Sequence, residues 1–193
     1  MLRVLRRLIK NPIYTVSIIV IFVVILVTLF PGVFAQYDPY KMNMDAFMNR
    51  PTGSYWFGGD QFGRDVFSRS MYGIQKSVII ASSAIAISAL IGTMLGLLSG
   101  YLSGLTDLII MRIMDSFFAF PSLILALFII ALFGSSMTNL IFAIGLVYVP
   151  IFARTVRGAT LSLRDSLYVK ASKALGKKEI SIISFRNFWL QAF

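Results

Sequence analysis

The chain has 193 residues, 58% hydrophobic and only 13% charged, with a net charge of +10. Soluble domains average about 45–50% apolar and about 25% charged residues. The excess is too large for one globular core of this size to hide, which sets aside a soluble enzyme and a disordered chain. Cysteine and histidine are absent. Disulfides, thiol nucleophiles, imidazole bases and the commonest zinc and haem ligands go with them. In so apolar a chain the positive charge is read against the two sides of a bilayer, and no nucleic-acid partner is expected.

No residue between Lys10 and Asp38 is charged, and Ile13 to Phe30 is almost wholly apolar. At ~1.5 Å per residue that stretch reaches roughly 27 Å, close to the ~30 Å hydrocarbon core. Arg3, Arg6, Arg7 and Lys10 precede it, as in a signal peptide. A signal peptide, however, has a shorter apolar region and a small-x-small cleavage site. A retained helix over 13–34 is therefore expected.

A more polar segment follows. Within it, Phe67, Met71 and Ile74 form an apolar stripe at helical spacing, and Asp65 and Arg69 stand in the favourable i,i+4 order. The stretch reads as a short helix lying in the membrane surface, with Arg64, Arg69 and Lys76 reaching to headgroups.

The second uncharged stretch runs between Lys76 and Asp107, and the third from Ser116 to Ala153. The third is too long for one crossing, and the polar run Gly134-Ser135-Ser136-Met137-Thr138-Asn139 divides it. Spans are thus expected near 78–101, 116–133 and 137–154, making four in all. In the second, Ala84, Ser88, Gly92, Gly96, Gly100 and Gly104 recur every fourth residue. Small residues along one ridge let another helix approach almost backbone to backbone. Near the start of the third, Arg112 and Asp115 are three apart, a spacing that suits an interfacial charge pair.

With four spans both termini share a side. That side carries thirteen Lys and Arg against five in the segment between the first two spans, which puts both termini in the cytoplasm. From Arg154 to Arg186 the chain is basic, yet Leu161, Leu163, Leu167, Ala171, Ala174 and Leu175 recur near helical spacing before Gly176. A second amphipathic piece (Ile180, Ile182, Ile183, Phe185) follows. Periodicity leaves two readings open: a helical knob for a groove on a soluble partner, or a basic segment held to anionic lipid. No phosphate-binding loop, nucleophile–base pair or metal-ligand spacing is present, so neither catalysis nor a cofactor bound by this chain is expected.

Several stretches resemble a known family. Gly59-Asp60-Gln61-Phe62-Gly63-Arg64-Asp65-Val66-Phe67-Ser68-Arg69 is similar to the G-T-D-x-x-G-R-D-V-x-S-R signature of peptide/nickel ABC importer permeases. Gly96-Leu97-Leu98-Ser99-Gly100-Tyr101, then Asp107 with Arg112 and Asp115, then Ala119-Phe120-Pro121 follow in the same order. Tyr168-Val169-Lys170-Ala171-Ser172-Lys173-Ala174-Leu175-Gly176 resembles the family's cytoplasmic E-A-A-x-x-x-G loop. The resemblance covers nearly the whole chain and is closest to the C-type permease of dipeptide and oligopeptide importers.

It implies an all-α integral membrane protein with about four helices of a type I ABC importer permease, the last two family helices lying beyond Phe193 and missing, so a truncated copy is expected. It also implies a second, homologous permease, two cytoplasmic ATPase subunits that bind the ATP, an extracellular substrate-binding protein, and a bacterial-type cell membrane. The expected layout is a basic segment, first span and start of the outer loop over 1–50, then an outer loop with an interfacial helix over 51–77. The transmembrane domain over 78–193 would include an ATPase-coupling loop over 154–187, with Tyr168, Lys170, Ala171, Ser172, Ala174, Leu175 and Gly176 at its centre. Lys170 stands where the family usually has glutamate, and Phe188-Trp189-Leu190-Gln191 replaces its L-P. The alternative role is a non-transporting helical scaffold or an inactive permease fragment.

Overall fold

The computed structural model describes residues 12–164, 166 and 167. The described residues are helical, apart from turns and one isolated bridge between Gly59 and Asp65. Among the described residues, six α-helices follow one another: α1 (Pro12–Leu29), α2 (Pro31–Phe34), α3 (Val66–Leu102), α4 (Gly104–Phe118), α5 (Ser122–Phe133) and α6 (Met137–Arg164). The chain forms two compact units that divide between Ile79 and Ile80.

In the first unit, α1 carries its apolar side chains almost wholly exposed, as a helix facing lipid does. Pro31 opens the short α2, where its missing N–H costs nothing. The Gln75 side chain donates to the Thr28 carbonyl at 2.9 Å, and Lys76 Nζ donates to the Tyr40 hydroxyl at 2.6 Å. Residues 35–65 are mostly turns pinned by Tyr and Asn side chains, including Asn43 Nδ2 donating to the Tyr55 hydroxyl at 2.9 Å.

The separate surface helix expected near Phe67 does not exist. Val66 begins α3, which runs unbroken for 37 residues, about 55 Å and well beyond one bilayer core. Hydropathy falls at Arg69 and Lys76, but nothing there stops backbone hydrogen bonding. No proline intervenes, and Gly73 lies in open space. The stripe of Phe67, Met71 and Ile74 therefore belongs to the first turns of a long helix.

In the second unit, α3 ends at Leu102, and α4 starts only two residues later. Ser103 and Gly104, both at positive φ (+56° and +60°), make the corner. The expected span over 116–133 is also not one helix. α4 and α5 are separate and bent by 91° at Ala119–Pro121. Pro121 cannot donate to the preceding turn and disfavours helical geometry at Phe120, so the break falls there. Among the described residues, three helices are long and apolar enough to cross a membrane, or four if the bent pair counts as one crossing. The turn between α5 and α6 lies within the polar run at 134–139. Gly134 adopts φ +91°, and Asn139 Nδ2 donates to the carbonyls of Phe133 and Gly134 at 2.5 and 3.0 Å.

α6 lies against the small-residue ridge of α3. The Ser88 hydroxyl donates to the Gly145 carbonyl at 2.6 Å. A Cβ on Gly92 would come within 2.7 Å of the Val149 carbonyl oxygen, and one on Gly96 within 2.5 Å of that of Ala153. On Gly100 it would meet Thr160 Cβ at 2.7 Å. A Cβ on Gly145 of α6 would touch Ala84 in return, at the carbonyl oxygen, 3.4 Å away. Ala84 through Gly100 thus supply a groove into which the backbone of α6 settles, with Val149 and Ala153 buried. Gly104 stands apart from the ridge: it lies past the end of α3, with open space around it, and forms the corner instead.

Candidate functional site

The stretch matching the outer signature is a tightly hydrogen-bonded turn that launches α3. Asp60 organises it. One carboxylate oxygen accepts from the amides of Phe62 and Arg64 at 2.8 and 3.0 Å, and the other takes the Arg64 guanidinium at 2.8 Å. Burial pulls the Asp60 carboxyl upward. The two amide bonds and the guanidinium outweigh it and hold the group below its ordinary value. Gly63, at φ +69°, and Gly59 pass so close to Asn43 and Ala46 that a Cβ would overlap their backbone oxygens, at 2.3 and 1.6 Å. No other residue fits at either place.

Asp65 caps the helix: its Oδ2 accepts from the Ser68 amide at 2.8 Å. The buried Ser68 hydroxyl in turn accepts from the Tyr37 amide at 3.0 Å. The i,i+4 ion pair expected between Asp65 and Arg69 is absent. Capping commits the Asp65 carboxylate to its own helix end, and Arg69 turns to Asp60 at 3.8 Å instead. Gly59, Asp60, Gly63, Arg64, Asp65 and Ser68 thus each have a structural task in one turn.

The second charged feature lies in the other unit, where α4 meets α6. A cavity of about 550 Å³ is lined by Asp107, Arg112, Asp115, Arg154 and Arg157, together with Gly104, Leu108 and Met111. Asp107 is clamped by the Arg157 guanidinium through Nε and Nη2, at 2.5 and 2.6 Å, and also accepts from the Ser99 hydroxyl. Two parallel N–H bonds to a carboxylate fix both position and angle. Arg164 donates to the Ser103 hydroxyl at the corner. The end of α3, the start of α4 and the end of α6 are therefore tied together by Ser99, Asp107, Arg157, Ser103 and Arg164.

Asp115 pairs with Arg154 at 2.5 Å, and that guanidinium also lies 4.1 Å from the Phe118 ring centroid. The pair expected between Arg112 and Asp115 therefore does not form. Arg154, reaching across from α6, has taken the carboxylate. Local spacing could not reveal these partners, which are 39 and 50 residues apart. A signal was nonetheless present: Asp107 and Asp115 are eight apart, Arg154 and Arg157 three apart, so each pair shares a helix face.

The residues proposed for ATPase coupling (Tyr168, Lys170, Ala171, Ser172, Ala174, Leu175 and Gly176) lie outside the described residues. The clamp stands just ahead of them, at the end of α6.

Two family profiles match the chain. One, described as "Binding-protein-dependent transport system inner membrane component", covers residues 92–186. The other, described as "N-terminal TM domain of oligopeptide transport permease C", covers residues 1–51. Among curated relatives, a probable D,D-dipeptide transport system permease protein of Escherichia coli (strain K12) is 37% identical over 175 residues, 91% of this chain and 59% of its own. A dipeptide transport system permease protein of Alkalihalophilus pseudofirmus is 38% identical over 178 residues, 92% of this chain and 59% of its own. A glutathione transport system permease protein of Pectobacterium atrosepticum is 38% identical over 172 residues, 86% of this chain and 56% of its own. The chain spans a little under three fifths of the length of these relatives.

Proposed function

We infer the chain's role from one premise: it belongs to the family of binding-protein-dependent transport inner membrane components. On that premise it is the membrane-spanning permease subunit of an ATP-driven importer, and its cargo is peptides. Relatives named for dipeptide and glutathione transport, aligned over most of the chain, support this reading. The chain performs no chemical step. Two cytoplasmic ATPase subunits bind and hydrolyse ATP, an extracellular binding protein delivers the cargo, and a second permease completes the pathway. Both termini face the cytoplasm, in keeping with the excess of Lys and Arg on that side.

The observation that carries the mechanism is the clamp at the end of α6. A coupling loop is useful only if its displacement reaches the spans. Here α6 enters the loop already fastened to α4 by Asp107–Arg157 and seated backbone to backbone on α3. Movement imposed on residues 168–176 by an ATPase would shift α3, α4 and α6 together and rock the pathway between its two openings. Ala171 and Ser172 are small enough for close docking, and Gly176 stands where the family's loop has its glycine.

Affinity purification from membranes that also express the neighbouring ATPase and permease genes tests this. The wild-type chain retains an ATPase subunit, and Ala171→Trp or Gly176→Trp loses it while the chain still reaches the membrane. If both bulky variants retain the ATPase as wild type does, the coupling role is wrong.

A further inference from the structure

The α4–α6 cavity has a charge left over. Of its three guanidiniums, Arg157 answers Asp107 and Arg154 answers Asp115. The Arg112 side chain is exposed, and its guanidinium has no hydrogen bond or ion pair to any described residue. The cavity therefore carries one net positive charge, and its two carboxylates are already neutralised. Arg154 uses one Nη for Asp115, so further N–H donors remain beside Arg112.

The surroundings of Arg112 are apolar. Leu105, Leu108, Ile109 and Ile113 of the same helix are all more than half exposed. The cavity also lies where the uncharged stretch of α6 gives way to Arg154 and Arg157. An anion with attached hydrocarbon matches both features. Its charged group would sit among the guanidiniums while its chains cover the leucines and isoleucines of α4.

We propose that this cavity is a binding site for the phosphate headgroup of an anionic phospholipid, with Arg112 as its principal contact and the exposed apolar face of α4 receiving the acyl chains. A zwitterionic lipid brings no net charge to match Arg112 and is held less well. A soluble phosphate ester has the headgroup but not the chains. The proposal needs only that the chain lies in a membrane, so it stands or falls apart from the import reading.

Native mass spectrometry of the full chain, delipidated in detergent and titrated with dioleoyl phosphatidylglycerol or dioleoyl phosphatidylcholine, tests it. Wild type retains the glycerol lipid over the choline lipid by about fivefold. Arg112→Gln brings the ratio close to one, and Arg112→Lys restores most of it. Circular dichroism spectra that match across the three chains place the effect at the site. Equal retention of the two lipids by wild type overturns the proposal, as does an undiminished preference in Arg112→Gln. Glycerol 1-phosphate displacing the lipid at equal concentration would assign the site to a free anion and also overturn it. A photo-crosslinker in place of Leu108, which lines the cavity, labels lipid in native membranes; labelling of an acidic segment of another membrane subunit instead would make the cavity a protein interface and refute the lipid reading.

Discussion

At the scale of single residues, the two ion pairs of the α4–α6 cavity look alike on paper but differ in worth. Asp107 is mostly shielded, doubly bonded by Arg157 and bonded again by Ser99, whereas Asp115 and Arg154 are each about half exposed (50% and 48%). Losing a charged hydrogen-bond partner in a shielded place costs about 1.5–3 kcal/mol, and losing an exposed pair less than about 1 kcal/mol. Asp107→Asn is therefore expected to lower unfolding stability in detergent clearly more than Asp115→Asn does, as measured by steric trapping. Asp60 provides a pH signature. Because folding holds its carboxyl below the ordinary value, its contribution is fully present above about pH 4 and is lost as pH falls through the folded value. Trp56 fluorescence in a Trp189→Phe background should be flat from neutral pH to about pH 5 and change only on stronger acidification. Asp60→Asn should weaken that acid transition and destabilise the turn at neutral pH.

At the scale of elements, glycine means opposite things along one helix. At Gly96 an added methyl would meet the Ala153 carbonyl of a packed helix, while at Gly73 it would meet nothing. Gly96→Ala is expected to destabilise by about 1–3 kcal/mol through overpacking. Gly73→Ala is expected to stabilise by roughly 0.5–1 kcal/mol, because alanine is the better helix former. Thermal denaturation in one detergent checks both signs. The periodicity of Ala84, Ser88, Gly92, Gly96 and Gly100 was legible in the sequence because a helical ridge is a local pattern. The choice of α6 as its partner was not, since any helix with a narrow face suits such a groove. The expectation for Gly104 failed because the four-residue spacing continues past the helix end without marking it. Likewise Pro121 was visible as part of a motif, but hydropathy is blind to a bend, so two helices meeting at 91° read as one span. The length of α3 was missed for the converse reason. Hydropathy marks where lipid ends, whereas hydrogen bonding carries the helix on through Arg69 and Lys76.

At the scale of the whole molecule, composition alone was enough to place the chain in a membrane, and the ordered motifs were enough to name its family. What the sequence left hidden is the fastening of α6: Ser103, Arg157 and Arg164 carried no motif of their own, and the ties of Arg157 and Arg164 reach 50 and 61 residues back along the chain. On the proposed function, those contacts are what lets movement beyond α6 reach the spans. The mechanism holds only if residues 35–65 and the stretch after α6 face opposite sides of the membrane. Since the chain has no native cysteine, single substitutions report sidedness without background. Ser54→Cys and Lys178→Cys should be compared in intact cells treated with a membrane-impermeant maleimide. Ser54→Cys should be labelled from outside and Lys178→Cys only after the membrane is opened; labelling of Lys178→Cys in intact cells would contradict the coupling mechanism.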